Sequence, residues 1–224
     1  MSTNCVTDEL VVYRLNTFPF LHLGFFHYLV NMVAFIPLLD RFEAEFGTLV
    51  TFILFTGPFA TLPGGIYTLI ERFIYHSNTS IQGASIWVFM LLANEAIKTY
   101  RANPYFELST LKIPTWTTPL ILNVFIAFIV PRSSFTGHMC GLAIGYLWGL
   151  GYIRFLAPSE KILRWIENKL NPLGRLPHYV SVDQKVYGRY GVLPSTSTPR
   201  VPTLANGAAI GLTGVTGGTQ RLGP

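Results

Sequence analysis

Charge is what this sequence has least of. Only 12% of its 224 residues are Asp, Glu, Lys or Arg, half are apolar, and the mean hydropathy is +0.41, which excludes an ordinary soluble domain. Cysteine is nearly missing as well. Cys5 and Cys140 stand alone, so neither a disulfide framework nor a cysteine metal cluster is available, and the redox compartment is not fixed by them. The start of the chain has no basic region followed by a short apolar run and a small-residue cleavage site, so no cleavable signal peptide is expected and the first apolar stretch serves as its own signal.

What remains when charge is removed is a set of long apolar windows. No charged residue occurs in 15–39, 46–70, 73–94, 113–131 or 133–153. A helix needs about 20 apolar residues to cross a bilayer, and the windows predict five spans near 20–39, 48–70, 83–98, 118–131 and 137–156. Several contain Gly, Pro or Asn and are expected to be short, tilted or broken. Asp40-Arg41-Phe42-Glu43-Ala44-Glu45 reads as a charged turn, and 99–117 as a long cytosolic connection. The expected class is therefore an all-α polytopic membrane bundle over 1–157.

The net charge of +5 raises nucleic acid as a partner, but its distribution points to membrane topology instead. With alternating spans, thirteen basic residues collect on one side and only Arg14, Arg72 and Arg132 on the other. The positive-inside rule then places the C-terminus in the cytosol and the N-terminus in the lumen or outside. Residues 158–170 predict an amphipathic helix with Ile162, Leu163, Ile166 and Leu170 on one side, lying on the cytosolic membrane surface. From 171 to 224 the chain is polar, then rich in Ser, Thr, Pro and Gly, a composition expected to form a largely disordered tail.

Inside the apolar windows, three segments carry polar side chains: His22 to Asn31, Gly83-Ala84-Ser85, and Gly137-His138 through Gly145. Intramembrane polar groups are costly, so their presence points to chemistry. Under the alternation above, His27, Ser85 and His138 each lie near the lumenal start of spans one, three and five. Ser85 needs an adjacent base to act as a nucleophile, and an imidazole suits that task. Gly137, Gly141, Gly145 and Gly149 recur every four residues and make a smooth stripe along which the last span can approach Ser85 closely. His27 and Asn31 share a helical face and can donate hydrogen bonds to an oxyanion, with the Ser85 N–H as a third donor. No carboxylate within the spans shares this depth, which predicts a Ser-His dyad. A hydrogen-bonded knot or a metal site remains open for His22, His27 and Asn31, although zinc wants three or four His, Cys or carboxylate ligands. No metal and no cofactor are expected.

These residues resemble the rhomboid intramembrane serine proteases. His22, His27 and Asn31 match His-x4-His-x3-Asn; Glu43 and Gly47 match Glu-x3-Gly; Gly83-Ala84-Ser85 matches Gly-x-Ser; and His138, Gly141 and Gly145 match His-x2-Gly-x3-Gly. The resemblance covers about residues 13–156. It implies Ser85 as nucleophile, His138 as general base, His27 and Asn31 as oxyanion donors, and His22, Gly83, Gly141 and Gly145 in support. Leu176-Pro177-His178-Tyr179-Val180 through Gly191-Val192-Leu193-Pro194 is similar to fungal rhomboids of the Golgi type, which implies a Golgi or other secretory-pathway membrane. The match begins at the family's second core helix, so the first of six is expected to be absent. Many active members have Gly after the serine, where this chain has Ile86.

Substrates implied are transmembrane segments of other membrane proteins, cleaved near their lumenal ends, with membrane lipid as the surroundings. A helix hides its carbonyls in internal hydrogen bonds, so a substrate must unwind locally there. The segment Val215 to Gly223 is similar to the Phe-x-Gly-x-Gly-x-x-Leu-Gly motif that docks on AAA unfoldases, with Val215 and Thr219 departing from it. A second reading, which gains weight from Ile86 and the missing first helix, is a catalytically weak or inactive rhomboid-like protein that binds membrane clients and hands them to an unfoldase.

Overall fold

A computed structural model describes residues 13–77, 79–108, 111–130, 133–170, 173–174 and 176–186. Val215 to Gly223 lies outside them. After a helical turn at Arg14–Thr17 and a 3-10 turn at Phe18–Phe20 come α1 (Phe25–Phe46), α2 (Thr48–Thr56) and α3 (Pro58–Leu69), the last continuing as a π-helical turn, Ile70–Ile74. Next are α4 (Ser85–Ala102), β1 (Tyr105–Leu108), β2 (Leu111–Pro114), α5 (Thr118–Ile129), α6 (Phe135–Leu150) and α7 (Glu160–Lys169). The protein is an all-α polytopic helical bundle with one small antiparallel hairpin, in which Phe106 pairs with Ile113 and Glu107 with Lys112.

The helix boundaries depart from the apolar windows for identifiable reasons. Residues 40–45, expected as a turn, are the last turns of α1, because Phe42 and Phe46 are buried on the inner face while Asp40 and Arg41 point outward. The turn moves to Gly47, whose φ of +94° suits a residue without a Cβ. The second window breaks at Gly57, since Pro58 lacks an N–H and its ring would clash with the carbonyl four residues earlier. A Cβ on Gly57 would also lie 2.9 Å from the Ile53 carbonyl oxygen. The last window ends at Leu150 because Gly151 takes a left-handed conformation, φ +97°, and the Tyr152 N–H donates to the Leu147 carbonyl at 2.9 Å.

By length and composition Phe25–Phe46 and Thr48–Ile74 are each long and apolar enough to cross a membrane. Helix α6 at 16 residues and α5 at 12 are shorter, about 24 and 18 Å at 1.5 Å per residue. The outer faces are apolar all the same. Phe26 is 80% and Phe128 86% exposed, alongside Val33, Phe52, Ile121 and Phe125, an apolar surface far beyond what water-facing proteins show.

Inside, aromatic rings join the helices. Trp148 of α6 packs against Phe42 of α1 (5.8 Å between centroids) and Phe59 of α3 (5.0 Å), while Trp87 of α4 stacks on Phe35 and meets Phe55 edge-on, both at 5.5 Å. The Trp87 indole N–H donates to the Phe59 carbonyl at 3.1 Å. Such rings contribute area and directional contacts together, so this cluster fixes α1, α3, α4 and α6 relative to one another.

The ends of α1, α4 and α6 remote from Ser85 are tied by charge. Lys98 pairs with Glu45 of α1 and, at 2.7 Å, with Glu95; Arg101 donates to the Gly149 carbonyl near the end of α6 at 3.1 Å. Residues 176–186, expected as part of an unstructured tail, dock here. The Thr48 N–H donates to the Val180 carbonyl (2.9 Å), the Val180 N–H to Thr48 Oγ1 (2.8 Å) and the Val186 N–H to the Ala44 carbonyl (3.1 Å). Backbone groups pair whatever the side-chain composition, which is why polarity alone suggested a loose tail. Glu167 of α7 accepts from the Val182 N–H (3.0 Å) and the Tyr179 hydroxyl (2.8 Å), and burial raises the Tyr179 pKa above its ordinary value, with that bond and the carboxylate's charge adding to the rise. Of the four apolar residues predicted on one side of α7, only Leu163 is fully buried, and Ile162 and Leu170 stay exposed.

Candidate active site

Three helices begin at one end of the bundle, and each brings a candidate residue in its first turn. His27 is the third residue of α1, Ser85 the first of α4 and His138 the fourth of α6. What lets α6 reach α4 is the glycine stripe, and its members are unequal. A Cβ on Gly145 would lie 2.0 Å from the Met90 carbonyl oxygen and one on Gly141 2.3 Å from that of Ile86, both backbone atoms that cannot step aside. On Gly149 it would meet Ile97 at 3.1 Å, and on Gly137 the movable end of Ile81 at 2.5 Å. The close approach is therefore made at Gly141 and Gly145, and Ile86 is buried in that contact.

His138 sits on the face of α4 that carries Ser85. Phe89, one turn after Ser85 on the same face, stacks on the His138 ring with centroids 4.1 Å apart and planes 22° from parallel. No hydrogen bond within 3.5 Å joins Ser85 to His138 among the described residues; catalytic bonds of this kind often tighten only when substrate is present. The His138 Nδ1 lies 3.0 Å from Oδ1 of Asn123, a fully buried residue of α5.

Asn123 was not among the residues expected here. It was legible as the lone polar side chain in Pro119-Leu120-Ile121-Leu122-Asn123-Val124-Phe125-Ile126, the same signal that marked the other polar residues. Glu71 was missed too. It lies just past the second window, yet it is buried in the π-helical turn and accepts from the Ser77 hydroxyl.

The loop before Ser85 is held from below by His22. Its Nδ1–H donates to the Phe20 carbonyl at 3.3 Å, which leaves Nε2 to accept the Ala84 N–H at 3.3 Å. The Gly83 N–H donates to the Phe18 carbonyl at 3.1 Å. Gly83 has φ +107°, and a Cβ there would lie 2.8 Å from His27 Cε1, 3.1 Å from His27 Nε2 and 3.4 Å from Asn31 Nδ2. His27 and Asn31 thus face the Gly83 backbone, two residues before Ser85. Asn31 is buried and its Nδ2 has no partner, nor has Nδ1 of His27. A buried donor left open is costly unless something arrives to use it. His22 and His27 stand edge to face at 5.3 Å, and no third His, Cys, Asp or Glu joins them in a metal-sized group among the described residues.

Comparison with known proteins shows the family. The Rhomboid domain model matches residues 9–155. Rhomboid-type serine protease 2 of Neurospora crassa is 59% identical over 222 residues, covering 98% of this chain and 78% of that protein. Rhomboid-type serine protease B of Aspergillus fumigatus is 59% identical over 218 residues (95% and 76%), and the protease 2 of Yarrowia lipolytica 34% identical over 160 (70% and 53%). No solved structure matches the chain. The chain belongs to the rhomboid family and is an intramembrane serine protease.

Proposed function

We propose that Ser85 is the nucleophile and His138 its base, with His27 and Asn31 receiving the oxyanion. The Ser85 Oγ attacks a peptide carbonyl carbon as its proton passes to His138 Nε2. The negative oxygen then faces His27, Asn31 Nδ2 and the free N–H groups at the start of α4. Collapse breaks the C–N bond, the proton held by His138 goes to the leaving amine, and water repeats the sequence on the acyl-enzyme. The observation that carries this reading is the buried, unpartnered Asn31 Nδ2 beside Gly83.

Five crossings with the C-terminus in the cytosol put the site near the lumenal face of a Golgi or other secretory-pathway membrane, and the substrates are transmembrane segments that unwind there. The excess of basic residues on the opposite side supports that orientation. Val215 to Gly223 is proposed to recruit an AAA unfoldase. Deleting 215–223 is expected to leave cleavage by the purified protein unchanged while abolishing binding to such an unfoldase; binding that survives the deletion removes this part. The catalytic assignment is tested in liposomes holding the full chain and a transmembrane substrate. Ser85→Ala and His138→Ala are expected to abolish cleavage, and cleavage that continues in either variant contradicts it.

A further inference from the structure

We propose that Asn123 is the positioning residue for His138, fixing its proton on Nδ1 and so leaving the Nε2 lone pair for Ser85. The inference rests on the reading of Ser85 and His138 given above. It starts from a cost. Asn123 is fully buried, and it is one of only two buried residues in the twelve of α5, the other being Pro119. A buried amide in an apolar helix is retained only where its hydrogen bonds are met.

The orientation of the amide is set from its far side. Nδ2 lies 3.5 Å from the Phe135 carbonyl in the first turn of α6, an oxygen that can only accept. Oδ1 therefore faces His138 Nδ1, 3.0 Å away, and since an amide oxygen also only accepts, the imidazole must carry its proton on Nδ1. Phe89 covers one face of the same ring at 4.1 Å, so both the plane and the tautomer of His138 are fixed. A base that holds its proton on the wrong nitrogen cannot take one from a serine. A neutral amide achieves this without placing an ionised carboxylate among apolar helices, where it would be expensive. The Ser-His dyad expected from the missing carboxylate thereby acquires a third, uncharged member.

The test uses the full chain in detergent micelles with a transmembrane peptide substrate, and 15N-labelled histidine for NMR of the imidazole nitrogens. Wild type should show His138 with Nδ1 protonated and Nε2 bare. Asn123→Leu should lower kcat about 10²-fold with KM nearly unchanged, and its His138 signals should move towards a mixture of tautomers. Asn123→Asp keeps an acceptor at the same place and should recover most of kcat. Wild-type kcat in Asn123→Leu overturns the proposal, as do equal losses in both variants with an unchanged tautomer. Should Asn123→Leu fail to fold, the wild-type spectrum decides, and His138 found protonated on Nε2 with Nδ1 bare overturns it. Ser85→Ala and His138→Ala are run beside these variants. Activity that persists in them removes the catalytic reading while the tautomer of His138 still reports on Asn123.

Discussion

The two ends of the bundle differ in where their charged and polar side chains find partners. At the end where α1, α4 and α6 finish, the charges are paired, Lys98 with Glu45 and Glu95 and Arg101 with the Gly149 carbonyl, and Thr48 is bonded to Val180, while Trp148 Nε1 and, further back on α4, Asn94 Oδ1 are buried without a partner among aromatic and apolar side chains. At the end where they begin, Asn31 Nδ2 and His27 Nδ1 are buried and unpartnered beside Gly83. Under the proposed mechanism, the contrast separates polar groups that hold the helices together from His27 and Asn31, which are held open for a reaction. Stability comes from satisfied groups, and a catalytic site keeps some unsatisfied at its expense.

The largest effects should appear where that contrast is broken at the open end. Ser85→Ala is expected to lower kcat by about 10⁴-fold or more while leaving thermal unfolding unchanged, as measured by peptide cleavage and a melting curve on the same preparation. Replacing Asn31 by Leu is expected to cost about 10²-fold in kcat through loss of an oxyanion donor. Because it also removes an unmatched buried donor, the melting temperature should hold or rise. A variant that lost activity and stability together would show that Asn31 belongs with the paired groups.

Between the two ends lies the seam of α4 and α6, where stability is the readout. Gly145→Ala should cost about 3 kcal/mol, since its Cβ would collide with the Met90 backbone and no movable side chain can absorb it. Gly149→Ala should cost clearly less, because only Ile97 and Asn94 must yield slightly. Denaturation in mixed micelles measures both, and equal costs would contradict the inequality along the stripe.

The smallest effect belongs to the paired end. Lys185 lowers the pKa of Glu160 by a hydrogen bond and by its charge, and the Arg164 guanidinium, bonded to Asp183, lies nearby. A carboxylate with a lowered folded pKa stabilises docking of 176–186 above its ordinary value and loses that contribution as pH falls through the folded one. Protection of the Val180 and Val186 amides, taken relative to their intrinsic exchange rate at each pH, should therefore fall slightly in acid and in high salt, with catalysis at neutral pH unaltered in Glu160→Gln. Protection indifferent to both would show that the backbone bonds alone hold the segment.

Much of this was legible without coordinates, and the failures share a cause. Apolar windows located the helices because burial and lipid contact demand apolar residues over a whole turn. His27, Ser85 and His138 stood out as candidates because polar groups are rare there, and the structure places all three at the start of their helices. Asn123 carried the same signal, but nothing in one apolar run says which neighbour a side chain meets. The hairpin at 105–114 and the docking of 176–186 depend on backbone pairing, to which composition is blind. The break at Gly57 was foreshadowed by Pro58, and the extent of α1 was misjudged because the charged residues Asp40, Arg41, Glu43 and Glu45 alternate in sequence with the buried Phe42 and Phe46.

The central claim is tested most directly by a fluorophosphonate, which reacts only with a serine that a base has activated. The account predicts one adduct per chain, mapped by mass spectrometry to Ser85 and lost in both His138→Ala and Ser85→Ala. An adduct on another serine, or labelling of Ser85 undiminished in His138→Ala, would contradict it.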